Sequence, residues 1–404
     1  MLNIAVVGTG GRAQSHLATI PKLKDIYQLT AVCDINEERA QQAAERFGVQ
    51  GYTNVEKMFD KEKIDVITIA VPPEGHHINT VLAAERGVHV ISETPMSFSL
   101  ECARMMLDVC EKHGTKVDVS ENVRRWPNER MKRRIVESGV IGEVTQIHCC
   151  YASGIYHGIS AVRNCALGEA KQVIGYCQNV QLAERHWFDP FCRRAGQGME
   201  NINTVPANPS ENAWVATWEI GIADYDNGVT SVHEFPIGAL RGSHWEIDAT
   251  SGQIISNDVY VYEDGKRNRY PIQTVMCDTE DGRTIDYLKV DTKPEVVWEN
   301  PHKRYPLSDA DDIARADVLI SVYKAATEDV ETDYGLGGYK DLEMMIATRE
   351  SAIRGSAPVK LPIQEPLLYD KIQHKRYREI YGHDPLEIIH TPPWKQEAKL
   401  SSEM

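Results

Sequence analysis

The sequence has no long apolar run. Nothing along its 404 residues approaches the roughly 20 consecutive apolar residues that a membrane-spanning helix requires. The opening MLNIAVVGTG has neither the basic segment nor the longer apolar stretch of a secretion signal. We therefore expect a protein that stays in the cytoplasm and has no membrane partner.

Positive charge is also in short supply. Lys and Arg number 44 against 59 Asp and Glu, which gives a formal net charge of -15. Nucleic acids and anionic membrane surfaces are bound by clustered cationic side chains that displace counterions. The charge balance therefore argues against a nucleic-acid partner and indicates a solvated acidic surface.

The nine cysteines lack the spacing of a metal or redox site. There is no CxxC and no CxxC…HxxxH, and no HxH or paired-carboxylate spacing indicates a metal ion. We expect reduced thiols, several of which pack as small apolar side chains. The sequence therefore predicts no metal centre.

The pattern of apolar residues along the chain changes near residue 122. Before that point the apolar strands LNIAVVG, QLTAVCD, DVITIAV, HVISE and TKVDVS alternate with stretches of helical spacing, which is typical of a parallel sheet covered by helices. After about residue 140 an antiparallel sheet is predicted by VTQIHCCYA, AWVATWEIGIADY, VTSVHEF, HWEIDAT and NDVYVYED, which are separated by glycine-containing turns. Two late helices are expected, roughly Asp309 to Glu328 and Tyr339 to Arg354.

These two sequence patterns predict a fold with two domains. Residues 1–122 should form an α/β Rossmann domain, which is a doubly wound parallel sheet, and residues 123–364 an α+β domain with a largely antiparallel open sheet. Residues 365–404, rich in Tyr, His, Lys and Pro, should form a C-terminal arm lying on a surface.

A glycine-rich turn follows the first strand and opens a helix. In GTGGRA the glycines allow a tight turn and close backbone approach to a pyrophosphate, and the helix N-terminus supplies N–H donors. Asp34 stands at the end of the second strand, where a carboxylate accepts the ribose hydroxyls of NAD and repels the 2′-phosphate of NADP. The candidates for cofactor binding are Gly8, Gly10, Gly11, Arg12, Ala13 and Asp34.

Two further corners follow the third and fourth strands, as AVPPEGHH and ISETP. In doubly wound sheets, ligands bind outside the carboxyl ends of the strands. Both corners should therefore face the nicotinamide half of the cofactor. This adds the cofactor-binding candidates Pro72, His76, Glu93 and Thr94, together with Asn122 after the next strand.

The segments GTGGRAQSH, AVPPEGHH, HVISETP, SENVRR and SGVIGEV resemble the Gfo/Idh/MocA family of oxidoreductases in order and spacing, over roughly residues 1 to 165. The resemblance implies a Rossmann domain and an α+β domain whose open sheet often forms dimers or tetramers. It also implies NAD(P)-dependent oxidation or reduction of a sugar, an inositol or a related polyol at a ring carbon.

The usual corner of the family is Glu-Lys-Pro, whose lysine is a catalytic acid/base. Thr94 stands in the lysine's place, and a threonine hydroxyl ionises far too weakly to act as a base. The family's DxGxH motif aligns with SGIYH, which matches Ser153 to the aspartate and His157 to the histidine. The catalytic candidates are therefore His157, whose intrinsic pKa suits proton transfer, and Tyr156 beside it, with Tyr151 and His76 as alternative proton carriers.

Several polar and aromatic residues suit the hydroxyls, the ring or an acidic group of a substrate. These substrate-binding candidates are Arg124, Arg125, Trp126, Tyr156, Arg163, His186, His244 and Tyr334. Each also has a structural interpretation, because Arg125 and Arg163 can pair with helix carboxylates and His244 lies on a strand whose alternation decides which side it faces.

Three functions remain open at this point. The first is an NAD-dependent sugar or polyol dehydrogenase. The second is a redox-neutral NAD-dependent glycosidase or lyase, because relatives that act on α-N-acetylgalactosaminides also lack the lysine and share the Glu-Asn pair seen here as Glu121 and Asn122. The third is a non-catalytic NAD-binding sensor. Net NADH formation separates the first from the second, and turnover of a glycoside by the NAD-loaded protein separates both from the third.

Overall fold

The computed structural model describes residues 1–151, 154–182, 193–194, 214–235 and 243–388. Its first sheet has six parallel strands in the order β3-β2-β1-β4-β5-β6, which is the doubly wound order predicted from the alternating pattern. The strands are β1 (Leu2–Val7), β2 (Tyr27–Cys33), β3 (Gln50–Tyr52), β4 (Val66–Ile69), β5 (His89–Ser92) and β6 (Val117–Val119). We did not predict β3, which is short and largely exposed.

Helices cover this sheet, and some of them begin and end at recognisable capping residues. They are α1 (Gly11–Thr19), α2 (Glu37–Phe47), α3 (Val55–Lys61), α4 (His76–Ala84) and α5 (Leu100–His113). The Asn36 and Ser99 side chains accept from the first turns of α2 and α5, and Gly48 and Gly114 end these helices in the left-handed conformation. Because these caps are local, the sequence fixes where these two helices stop.

Within the described residues, the second sheet has ten strands and is mostly antiparallel, as predicted, with one parallel pair between β7 and β11. Its strands are β7 (Val144–Cys150), β8 (Ala170–Leu182), β9 (Arg193–Arg194), β10 (Trp214–Tyr225), β11 (Thr230–Phe235), β12 (His244–Ala249), β13 (Gly252–Ile255), β14 (Asp258–Glu263), β15 (Lys266–Pro271) and, much later in the chain, β19 (Val359–Lys360). A separate small sheet contains β16 (Gln273–Thr279), β17 (Gly282–Val290) and β18 (Val296–Glu299). Of these, β8, β9, β13, β15, β19 and the small sheet were not predicted.

Five helices follow β6 in the part of the chain that the structure describes. They are α6 (Pro127–Ser138), α7 (Ile155–Ala166), α8 (Ala310–Glu328), α9 (Gly335–Ile353) and α10 (Leu368–Tyr381). The late helices α8 and α9 lie where the sequence predicted them. A Cβ at Gly175 would lie 1.9 Å from the Thr348 carbonyl oxygen, and Gly175 pairs with Gly221 across β8 and β10. These two glycines let α9 approach the ten-stranded sheet closely.

The beginning of the C-terminal arm packs against α5. Asp370 accepts from the backbone N–H groups of Leu100 and Glu101, and the Phe98 and Tyr377 rings stack with centroids 5.4 Å apart. These contacts support the first turn of α5. The domain boundaries at residues 122 and 364 stay a prediction.

Some classes of feature are missing from the part of the chain that is described. No helix there is both long and apolar enough to cross a bilayer. The described cysteines form no disulfide, and no described group of three or more His, Cys, Asp or Glu residues is arranged to hold a metal ion.

Arg125 is a fully buried cation that ties α8 to the parallel sheet. Its guanidinium donates to Asp118 on β6 at 3.0 Å, to Asp317 on α8 at 2.7 Å and to Asp333 before α9 at 3.1 Å. Burial raises the pKa of Asp118, and the charge of Arg125 opposes that rise. Arg125 was expected to contact substrate; it is instead the centre of a structural ion-pair network, because its side chain has no exposed surface.

We predict that Arg125→Met lowers the free energy of unfolding by about 3–5 kcal/mol, because it leaves buried carboxylates uncompensated. Thermal and urea unfolding would measure the loss. The matched control is Arg134→Met, since Arg134 is 58% exposed and contacts Glu137 only at 3.6 Å; it should change stability by no more than about 0.5 kcal/mol. Equal stability of the two variants would contradict the structural role of Arg125.

Candidate functional site

The glycine-rich turn between β1 and α1 has the geometry of an anion cradle. Gly8 has a φ of 90°, and a Cβ there would lie 2.3 Å from the Ala70 carbonyl oxygen, so only glycine fits. Cβ atoms on Gly10 and Gly11 would meet nothing within 4 Å, and no side chain caps α1. The first-turn N–H groups of α1 are therefore open to an anionic ligand.

Asp34 lies beside this turn at the end of β2. One of its oxygens accepts from both the backbone N–H and the hydroxyl of Thr9, each at 2.8 Å, and the other accepts from the Asn36 N–H at 2.9 Å. Asp34 therefore holds the turn against β2. Its carboxylate lies beside the turn, where we predicted that it would accept the ribose hydroxyls.

The corner after β5 is built on the buried carboxylate of Glu93. Its Oε1 accepts from Arg12 Nε at 2.8 Å and His16 Nε2 at 2.6 Å, and its Oε2 accepts from the Thr94 N–H at 3.1 Å. Burial would raise the pKa of Glu93, but the His16 hydrogen bond and the Arg12 charge outweigh it and hold the pKa well below its usual range. Arg12 and Glu93, both predicted to bind cofactor, are thus paired with each other.

His76 connects the two corners. Its Nε2 contacts the Val71 carbonyl oxygen at 2.8 Å and its Nδ1 contacts that of Pro95 at 3.1 Å. Burial lowers the pKa of His76, which is fully enclosed. His76 is therefore a support between the corners and has no ring nitrogen left for cofactor or for proton transfer. Pro72, in the same corner, is exposed, and Thr94 is half-buried.

A histidine–glutamate pair lies at the junction of β6 and α7. His157 Nδ1 lies 2.8 Å from Glu121 Oε2, and Glu121 is fully buried while the His157 side chain is 21% exposed. Burial would lower the pKa of His157, but the charge and hydrogen bond of Glu121 outweigh it and raise the pKa above its ordinary value near 6.5. Glu121 Oε1 also accepts from the Val123 N–H at 2.9 Å, which fixes the carboxylate. His157 Nε2 has no partner among the described residues.

Two tyrosines flank His157 in different ways. The Tyr156 hydroxyl donates to the Gly338 carbonyl oxygen at 3.0 Å, and burial raises the pKa of Tyr156 far above its ordinary value. Tyr156 therefore faces α9, which corrects its assignment as a catalytic and substrate-binding candidate. The Tyr151 ring lies 5.9 Å from the His157 ring and 6.4 Å from the Trp126 ring, measured between centroids.

Asp311 reaches the site from the first turn of α8. Its Oδ1 accepts from Asn122 Nδ2 at 2.8 Å and from Trp126 Nε1 at 2.7 Å, and its Oδ2 lies 3.8 Å from Arg12 Nη1. Asp311 was not predicted, because an acidic first turn is an ordinary helix-capping pattern. The orienting role of Glu121 was missed too, although its place beside Asn122 in SENVRR was a usable signal.

A separate buried cluster accounts for three substrate-binding candidates. Arg163 forms an ion pair with Asp341, and Tyr334 donates to the same carboxylate at 2.8 Å. The guanidinium carbon of Arg124 lies 3.6 Å from the centroid of the Tyr334 ring. Burial raises the pKa of Asp341 to about 6, although Arg163 opposes the rise. These contacts assign structural roles to Arg124, Arg163 and Tyr334.

The remaining candidates lie elsewhere. His244 is exposed on the outer side of the ten-stranded sheet, where its Nε2 lies 3.0 Å from Glu246 Oε1. It is therefore removed from the substrate-binding set. His186 lies outside the described residues, as does Ser153. The candidates that the structure brings together are Arg12, Glu93, Thr94, Asn122, Trp126 and His157, joined by Glu121, Tyr151 and Asp311.

Residues 2–121 match the GFO_IDH_MocA family model, described as an oxidoreductase family with an NAD-binding Rossmann fold. The chain is 32% identical over 139 residues to D-apiose dehydrogenase of Paraburkholderia graminis, covering 34% of this chain and 37% of that protein. It is 31% identical over 144 residues to D-glucoside 3-dehydrogenase of Escherichia coli, covering 35% and 41%. These matches span about two fifths of the relatives' length. A longer match, 27% identical over 339 residues, joins 74% of this chain to 84% of levoglucosan dehydrogenase of Pseudarthrobacter phenanthrenivorans.

Solved structures extend the fold likeness to both sheets. The levoglucosan dehydrogenase complex with NADH superposes with a TM-score of 0.66 at 19% identity, covering 90% of this chain and 100% of that one. An NAD-binding oxidoreductase from Klebsiella pneumoniae gives 0.65 at 17% identity, covering 90% and 100%. Residues 2–121 thus match the GFO_IDH_MocA oxidoreductase family in sequence, and both sheets of the chain share the fold of these solved oxidoreductases.

Proposed function

We propose that the protein is an NAD-dependent dehydrogenase that oxidises a sugar or polyol at a ring carbon, with His157 as the acid/base. The observation that carries the proposal is the hydrogen bond at 2.8 Å between His157 and the buried Glu121, beside the corner that lacks the usual lysine. The dehydrogenase names of the family relatives support the same reaction class.

The described residues fit NAD. The open N–H groups of the glycine turn would hold the pyrophosphate, and the carboxylate of Asp34 would accept ribose hydroxyls and repel a 2′-phosphate. The Asn122 Oδ1 is buried and has no hydrogen-bond partner, which leaves an acceptor at the inner end of the site. When bound, NAD would supply the hydride acceptor at its nicotinamide ring.

The chain's own part in the reaction is proton transfer and orientation. The Glu121 carboxylate accepts from His157 Nδ1–H, so the lone pair at Nε2 is available for the proton of a substrate hydroxyl. Thr94 can offer one hydrogen bond but cannot act as a base. Because Glu121 stabilises the imidazolium, His157 holds that proton well once it has been received.

A second candidate function is a redox-neutral lyase or glycosidase. Such chemistry needs a second proton carrier, which protonates the leaving group as it departs. The Tyr151 hydroxyl has no hydrogen-bond partner among the described residues, and its ring lies 5.9 Å from that of His157. Tyr151 is the residue that would fill this role.

We also propose that the outer face of the ten-stranded sheet meets a second copy of the chain. Ile174, Tyr176 and Ile222 lie on neighbouring strands of this face and are 38%, 46% and 45% exposed. A contiguous exposed apolar patch is typical of a protein contact. A mass of two or four chains by light scattering would agree with the proposal, and a monomer at micromolar concentration would contradict it.

The test of the main proposal is an assay of NADH formation. We expect the purified protein, given NAD, to form NADH with at least one of levoglucosan, D-glucose, D-apiose or myo-inositol, and to use NADP less well because Asp34 repels its 2′-phosphate. Cleavage of a nitrophenyl glycoside without net NADH formation would instead support the redox-neutral candidate. If the protein binds NAD but turns over no substrate in either assay, the non-catalytic NAD-binding sensor is the remaining candidate function.

The role of His157 is tested by substitution. We predict that His157→Ala lowers kcat by about 10²–10⁴-fold, the usual contribution of a general acid/base, with NAD affinity little changed. The control is His113→Ala, since His113 is exposed at the end of α5. A His157→Ala enzyme within a few-fold of the parent would move the acid/base role to another residue.

Glu121 should set the pH dependence. His157 must be neutral to accept a proton, and its pKa is raised in the folded protein, so the oxidation rate should rise as pH increases through a midpoint above 6.5. Glu121→Gln keeps an acceptor for Nδ1–H but removes the charge, so the midpoint should move to lower pH and the high-pH rate should fall about tenfold. Glu137→Gln, which removes a surface carboxylate, should leave the profile unchanged. An unshifted midpoint in Glu121→Gln would show that His157 is not the titrating group.

A further inference from the structure

Asp311 is the one carboxylate of the site that comes from α8, and it has an oxygen left for a ligand. Its Oδ1 is shared by the Trp126 indole N–H and the Asn122 amide, at 2.7 and 2.8 Å. Both donors lie in the segment that follows β6, directly after Glu121. Asp311 therefore fixes the Trp126 ring and the Asn122 amide relative to the His157–Glu121 pair.

The second oxygen of Asp311 is less engaged. Its nearest cations are Arg315 Nη1 at 3.5 Å and Arg12 Nη1 at 3.8 Å. Each of these arginines has a closer carboxylate, since Arg12 Nε lies 2.8 Å from Glu93 and Arg315 Nη2 lies 3.0 Å from Asp312. The Asp311 side chain is 40% exposed, so this oxygen remains accessible as a charged acceptor.

The surroundings keep Asp311 ionised. Burial would raise the pKa of Asp311, but the hydrogen bonds from Trp126 and Asn122 outweigh it and lower the pKa below its ordinary value. An ionised carboxylate accepts hydrogen bonds only, and it accepts strong ones from hydroxyl groups.

Aromatic rings lie between Asp311 and His157, the proposed acid/base. The half-buried Trp126 ring lies 6.4 Å from the Tyr151 ring, which lies 5.9 Å from the His157 ring. Burial raises the pKa of Tyr151, and the charges of Glu121, Glu129 and Asp311 add to the rise. An apolar face beside a few fixed polar groups is the usual composition of a small-molecule site.

We propose that Trp126 and Asp311 form a substrate subsite for a neutral polyhydroxylated ring. The ring packs on Trp126, its hydroxyls donate to Asp311 Oδ2, and a phosphate or carboxylate on the same ring is disfavoured by like-charge repulsion. This subsite deepens the proposed function and depends on it for the position of the reacting carbon. It makes Asp311 a specificity-determining residue, and it makes the Trp126–Asp311 hydrogen bond a positioning contact.

The experiment measures binding as well as turnover, so that the two proposals fail separately. Calorimetry on the NADH-loaded protein uses levoglucosan, D-glucose and myo-inositol as neutral probes and glucose 6-phosphate as the anionic probe. We expect at least one neutral probe to bind, and glucose to bind at least tenfold more tightly than glucose 6-phosphate. Binding without any NADH formation from NAD would overturn the dehydrogenase and leave the subsite intact.

Variants then separate the two oxygens of Asp311. Asp311→Ala should lower the affinity for the neutral probe at least tenfold. Asp311→Asn should lower this affinity less, and it should reduce the discrimination against glucose 6-phosphate. Trp126→Phe keeps a ring but loses the indole donor, so it should have a smaller effect in the Asp311→Ala background than alone. In turnover these changes should raise KM more than they lower kcat, and Asp312→Asn is the control because Asp312 pairs with Lys22 and Arg315.

Three results would overturn the subsite. The first is that none of the neutral probes binds, and the second is that glucose 6-phosphate binds as tightly as glucose. The third is that Asp311→Ala weakens NADH while leaving the neutral probe unaffected, since Asp311 would then be a cofactor contact.

Discussion

The buried carboxylate of Glu93 is the contact on which the arrangement of this site depends. It joins the first helix to the corner after β5, because Arg12 and His16 both donate to one of its oxygens while Thr94 donates to the other. An ionised carboxylate in this position is stable only while these donors remain, since burial alone would neutralise it. The glycine turn and the corner are therefore held at a fixed separation before any ligand arrives, which is the preorganisation that a cofactor site needs.

In the proposed mechanism, the same contact also supplies a positive charge at the corner where Thr94 replaces the usual lysine. Arg12 places a permanent cation beside the corner. Burial and the charge of Arg12 both lower the pKa of His157, but Glu121 outweighs them and raises it. The corner thus keeps a positive charge that cannot be lost near neutral pH, but that charge no longer carries a transferable proton. In the proposed mechanism, charge and proton transfer, which a lysine would combine, are divided between Arg12 and His157.

Local patterns carried most of what the sequence predicted. The glycine turn and the apolar parallel strands follow from spacing within short segments, and the structure agrees with both predictions. Strand β8 was not predicted; the close packing of α9 requires its Gly175, and that contact joins distant segments of the chain. Arg163 was assigned to substrate because a sequence cannot show that Asp341, 178 positions along the chain, is buried beside it. Tyr334 is close to Asp341 in the chain, but the sequence does not show that its hydroxyl donates to that carboxylate.

Local patterns could not predict the place of Asp311 in the site, since its partner Trp126 is 185 positions away. A capping aspartate and a tryptophan after a strand are each unremarkable alone, and only the packing of α8 on the parallel sheet brings them together. That packing depends in turn on Arg125, whose buried guanidinium links Asp118 on β6 to Asp317 on α8. Arg125, which the sequence suggested as a substrate contact, thus helps to hold the helix that carries Asp311 beside Trp126. Sequence changes that loosen the Arg125 ion pairs should therefore also displace the carboxylate that we propose for substrate recognition.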